Sequence, residues 1–157
     1  MKFDVSPNLQ SRKRKVIYLN EEHSFCMDVF LDTDYTLMLG CVYLGLDVDL
    51  SSMDVVNISG VCPNYTWKKK NLCPPIATQQ GTIKIISGIS ESDLCPGTGI
   101  YLFDKTDMYF DENSGWCYID CKVELHPEVN VQFCENTIFS LSGNDLVGIW
   151  VHLTEFL

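Results

Sequence analysis

Between Gly115 and Leu125 the chain runs Gly-Trp-Cys-Tyr-Ile-Asp-Cys-Lys-Val-Glu-Leu, and this alternation constrains the fold more than any other stretch. Side chains of an extended strand point to opposite faces in turn. Cys117, Ile119, Cys121, Val123 and Leu125 therefore share one face, and Trp116, Tyr118, Asp120, Lys122 and Glu124 share the other. The first is a core face that carries sulfur. The second is aromatic at its start and charged toward its end, as expected of a sheet surface that meets solvent or a partner. Lys122 argues against a uniformly acidic patch there.

Short runs of the same kind recur along the chain. Residues 16–19, 24–31, 55–58, 82–87, 100–103, 129–133, 138–141 and 146–154 predict strands, and the apolar run 35–46 predicts a strand buried on both faces. Residues 60–80, with Pro63, Pro74 and Pro75, predict a long loop, as do 88–99 and the acid-rich segment from Asp104 to Glu112. No long amphipathic helix and no internal repeat is visible. The expectation is an all-β, two-sheet β-sandwich of about nine to eleven strands, with long loops and disulfides. Residues 1–15 are polar, contain Pro7 and end in Arg12-Lys13-Arg14-Lys15, so they predict a linker or arm, leaving 16–157 as one β-sandwich domain.

Eight cysteines, Cys26, Cys41, Cys62, Cys73, Cys95, Cys117, Cys121 and Cys134, are all disulfide candidates. An even count in a strand-rich chain points to an oxidising compartment, although about a hundred pairings are possible. Cys62 and Cys73 bracket a proline-rich loop, and a bond between them would hold it. Structural zinc is the competing use, but Cys117-x3-Cys121 has no second close pair to complete a tetrahedral site. The sequons at Asn57 and Asn64 are glycosylation candidates and agree with secretion. Residues 1–20 lack the apolar segment of a signal peptide. Two expectations follow: a cytosolic chain with free thiols, or a piece of a longer secreted precursor with Met1 as an added start residue. The second is favoured.

Lys and Arg number 11 against 21 Asp and Glu, a formal charge of −10. That field repels nucleic acid and anionic membranes and steers basic partners inward. No run of apolar residues is long enough to predict a membrane-spanning helix. Chemistry is equally sparse. His23 and His126 fall in turn-like positions and His152 on the polar face of the last strand, so none is placed as a base. Gly97-Thr98-Gly99 lacks the further glycines and following helix of a phosphate cradle. Asp28, Asp32 and Asp34 lack the glycine and terminal glutamate of a calcium loop. The expectation is a protein that is not an enzyme and carries no cofactor or metal.

Binding is what remains. Asp28, Trp116, Tyr118, Asp120 and Glu124 fall on outward strand positions, and Asp104, Asp107, Asp111 and Glu112 lie in a neighbouring loop. Together they are candidates for receiving a basic protein, with aromatic anchors carrying affinity and rim acids setting rate and salt dependence.

Asp34-Tyr-Thr-Leu-Met-Leu-Gly-Cys-Val-Tyr-Leu-Gly45 and the 115–125 strand, with this cysteine count, resemble the SECRET domain of poxviruses. This is the chemokine-binding module at the C-terminus of viral tumour necrosis factor receptor homologues, also found as free secreted proteins. The resemblance covers essentially the whole chain and rests on texture rather than a short diagnostic motif. It implies a β-sandwich similar to the secreted poxvirus chemokine inhibitors, an extracellular immune-evasion glycoprotein that sequesters basic host chemokines of more than one class. Nothing here resembles the cysteine-rich repeats that bind tumour necrosis factor, so that activity is not expected of this chain. The runner-up partner is another host immune protein, a class I histocompatibility molecule or a cytokine. A third reading is an intracellular redox protein or enzyme.

Overall fold

Alternating apolar residues in short runs separated by turns leave each run one face to bury, and two sheets meeting face to face bury them all. The computed structural model describes residues 1–121 and 123–157; Lys122, placed above on the outward face of the central strand, lies outside them. Among the described residues the strands are β1 (Lys2–Ser6), β2 (Val16–Leu19), β3 (Ser24–Met27), β4 (Tyr35–Met38), β5 (Tyr43–Asp49), β6 (Asp54–Val61), β7 (Lys68–Lys69), β8 (Gln79–Gln80), β9 (Thr82–Ser87), β10 (Thr98–Tyr101), β11 (Asp107–Phe110), β12 (Trp116–Asp120), β13 (Val129–Cys134), β14 (Thr137–Ser142) and β15 (Asp145–His152). They exceed the nine to eleven expected because β1, the division of the 35–46 run into two strands, the two-residue strands in the long loop and a strand in the acidic segment add to the count.

One sheet has the order β1-β9-β6-β5-β4-β10, with β3 pairing β6 and β2 pairing β3; the other has the order β7-β11-β12-β15-β14-β13-β8. Leu37, Leu46, Ile58 and Ile83 from the first sheet and Cys117, Ile119, Phe139 and Ile149 from the second belong to one buried cluster. The molecule is an all-β protein of two sheets, consistent with a β-sandwich.

The expected arm is part of the fold. Phe3 is buried, and β1 runs antiparallel to β9 with Phe3 opposite Ile85 and Val5 opposite Ile83. Arg14, from the basic run, is buried as well. Its Nη1 donates to Val29 O (2.8 Å) and Asn57 Oδ1 (2.9 Å), and its Nη2 donates to Ser11 Oγ and Val56 O. A guanidinium whose two terminal nitrogens bond carbonyls and a hydroxyl can be buried where a composition count predicts a solvated linker, even though Nε has no hydrogen-bond partner.

Three further segments differ from expectation. The run 35–46 is a hairpin, not one strand: β4 and β5 pair antiparallel, and the connection turns at Gly40, whose φ of +75° suits glycine. Gly40 also lies against the 103–105 backbone, so the turn has no room for a side chain. Asp107–Phe110 is a strand because Met108 is buried while its neighbours pair with β12. The 115–125 stretch is extended only to Asp120; Cys117, Ile119 and Cys121 are buried as expected, but Leu125 is exposed.

Two expectations about modified residues also change. Cys62 is fully buried with its sulfur 3.1 Å from that of Cys41, whereas Cys73 is exposed, so the Cys62–Cys73 pairing is not the one the fold brings together. All eight cysteines are free thiols in this structure. Asn57 is wholly buried, its amide donating to Leu31 O (2.7 Å) and its Oδ1 accepting from Arg14, which leaves no room for a glycan. Asn64 is exposed.

Candidate functional site

The seven-stranded sheet has an outward face, and pairing register determines which side chains meet on it. Tyr118 on β12 stands opposite Tyr109 on β11 and Trp150 on β15; Trp150 stands opposite Ile138, Ile138 opposite Gln132, and Gln132 opposite Gln80. At the other end Lys68 on β7 is the partner of Tyr109. This ladder crosses all the strands of the sheet. On one side of it, Trp116 faces His152; on the other, Asp107 faces Asp120, which faces Gly148.

The aromatic side chains lie flat. Tyr118 and Trp150 are 4.3 Å apart between ring centroids, and Trp116 stacks on His152 at 4.8 Å with 13° between planes. Gly148 makes this possible: a Cβ there would stand 2.3 Å from the Tyr118 ring. The Tyr118 hydroxyl donates to Val147 O (3.3 Å). Burial, reinforced by Asp120, pushes its phenol up to about 12, so it stays neutral. Flat rings are only half-buried and present broad faces at little conformational cost.

Charge on the face is mixed. Lys68 Nζ pairs with Asp107 Oδ1 at 3.1 Å, and Lys70 Nζ lies 5.0 Å from the Tyr109 centroid, in reach of its negative π-face. Both lysines come from the loop between β6 and β9.

Of the predicted site residues, Trp116, Tyr118, Asp120 and Asp107 are brought together on this face. Glu112 is exposed nearby and pairs with Lys69 at 2.7 Å. Asp111 is not a surface acid: it is buried, its carboxylate accepts N–H bonds from Leu72 (3.0 Å) and Asn113 (2.9 Å), and it closes the turn into β12. The Leu72 and Asn113 N–H groups hold its carboxyl below the ordinary range. Asp104 is exposed before β11, and Glu124 is exposed beyond the end of β12. Asp28 belongs to the other sheet, where it accepts from the N–H groups of Lys15 and Val29 (both 2.9 Å) after β3.

The chain matches no protein-family model and no curated protein. The site therefore rests on its own geometry. Among the described residues no group of three or more His, Cys, Asp or Glu could hold a metal ion. Tyr109 and Trp150 join the face without having been expected there, and His152, expected on the polar face of the last strand, stacks on Trp116. Period-two alternation in β15, with Trp150 and His152 outward between inward Ile149 and Val151, carries that signal in the sequence. Tyr109 carried none, because its segment reads as an acidic loop.

Proposed function

We propose that this chain is a secreted viral immune-evasion module that binds basic host chemokines through the outward face of the seven-stranded sheet and blocks their engagement of receptors. The observation that carries the reading is the aromatic ladder Tyr109-Tyr118-Trp150 bordered by the opposed carboxylates Asp107 and Asp120. Large flat rings at the centre of an interface supply anchoring area, and acids at its border favour a basic partner. The net charge of −10 acts in the same direction at longer range. The resemblance to the SECRET domain supplies the partner class and the extracellular setting.

A panel of immobilised basic and acidic chemokines tests the reading. Binding of several basic members at moderate salt, weakening as salt rises and competed by heparin, is expected. Absence of binding to every member would remove the chemokine assignment and leave the runner-up partners.

A further inference from the structure

Cys41 and Cys62 form a pair apart from the other cysteines. Cys62 Sγ is wholly buried, Cys41 Sγ stands 3.1 Å from it, and 21 positions separate the two in sequence. Cys41 follows Gly40 in the β4–β5 turn, and Cys62 follows the last residue of β6. Cys41 also lines a cleft of about 290 Å³ whose other walls include Lys68, Lys105, Thr106 and Asp107. Cys41, 6 % exposed, is therefore at the wall of a cleft, with the Cys62 sulfur against its own. From this geometry we infer that Cys41 and Cys62 are a dithiol site, oxidised to a disulfide by a small anionic disulfide entering through the cleft.

The order of events follows from access. Cys41 and Cys62 share a hydrogen bond between their sulfurs, which raises the Cys41 thiol and lowers that of Cys62. The pair first gives one proton to solvent and shares the other; with that remaining proton on Cys62, the Cys41 thiolate attacks one sulfur of the reagent, and the reagent's other half leaves as a thiolate. Cys62 then gives its proton to solvent and attacks the Cys41 sulfur, and the second half of the reagent leaves. Two protein thiols lose two electrons and two protons, and the reagent becomes two thiols. Lys105 favours an anionic reagent such as oxidised glutathione, while Lys68 is already paired with Asp107 in the same wall. Cys117 and Cys121 are buried and do not line this cleft, so the reagent reaches them more slowly.

The bond would join the 39–44 turn to the end of β6. That turn already holds the segment before β11, since Thr106 Oγ1 donates to Leu39 O (2.9 Å) and Thr106 N to Gly40 O (3.1 Å). Val42, a β-branched residue at φ +52°, sits in a region it disfavours, and a cross-link beside it keeps the turn closed. The site stands independently of the partner proposed above.

The test is to treat reduced, folded protein with oxidised glutathione, block remaining thiols by alkylation, digest, and map linked peptides by mass spectrometry. A Cys41–Cys62 linked peptide is expected before Cys117 or Cys121 reacts, with a melting temperature raised by roughly 10 °C that the Cys41→Ser variant does not show. Recovery of Cys41 and Cys62 as alkylated thiols, or of Cys62 joined to Cys73, would overturn the inference. The mapping uses the unaltered chain, so it decides the matter even if the variant fails to fold.

Discussion

The Tyr118 ring lies across Gly148 so closely that a Cβ at position 148 would stand 2.3 Å from its Cε2 atom. Gly148 is buried within β15 and pairs with Asp120, so the backbone has no freedom to move aside. Gly148→Ala is expected to lift the ring and cost about 1–3 kcal/mol, as overpacking does. Urea unfolding of the variant beside the wild type measures this, and an unchanged midpoint would show that the ring tilts at no cost.

Arg14 ties three segments together through Val29 O, Val56 O, Ser11 Oγ and Asn57 Oδ1. Replacing it with leucine keeps volume but strands those acceptors in a buried site, with an expected loss of about 2–4 kcal/mol. Lysine, without the planar fork, is expected to recover little of it. Equal stability of Arg14→Leu and the wild type in denaturant titration would contradict the role assigned to Arg14.

Why the sequence spoke clearly in some places and not in others is visible in these residues. In β12, and in β15 from Gly148 to His152, every inward position is apolar and every outward one aromatic, polar or glycine, so period-two alternation is enough to place Trp116, Tyr118 and Asp120 correctly. Arg14 and Asp111 were misplaced because their burial depends on hydrogen bonds to backbone groups distant in sequence, which alternation does not encode. The 35–46 run concealed a turn because Gly40 is its only punctuation, and its neighbours Leu39 and Cys41 are buried like strand residues. Which sulfurs meet is a matter of tertiary packing, and neither spacing nor count pointed to Cys41 and Cys62.

Two aspartates give opposite pH signatures. The Leu72 and Asn113 N–H groups lower Asp111 in the folded state, so its contribution is present above the unfolded value of about 3.9 and is lost as pH falls through the folded one. Melting temperatures taken from about pH 5 down to about pH 2 should fall more steeply for the wild type than for Asp111→Asn. Parallel curves would contradict this.

Asp47 behaves the other way. Burial raises it, against hydroxyl bonds from Ser59 and Thr36, so stability falls as pH rises from the unfolded value through the raised one. Asp47→Asn, with one hydroxyl turned acceptor, is expected to melt higher than the wild type at neutral pH; a lower melting temperature would contradict it.

The buried Asn57 and exposed Asn64 predict that the chain, when produced through a secretory route, carries a glycan at Asn64 alone. Intact mass before and after glycosidase treatment should show one occupied site, abolished by Asn64→Gln. Occupancy at Asn57 would require that the Arg14 and Leu31 contacts form after glycosylation or not at all.

The central claim is that the outward face of the seven-stranded sheet receives a basic chemokine. Equilibrium affinity of one such chemokine for Trp116→Ala and for Asp107→Asn/Asp120→Asn, set beside Tyr43→Ala on the exposed surface of the other sheet, tests it most directly. The account predicts weakening of about tenfold or more for the first two variants and none for the third. Affinity unchanged by Trp116→Ala and by the double aspartate variant, with loss confined to Tyr43→Ala, would contradict it.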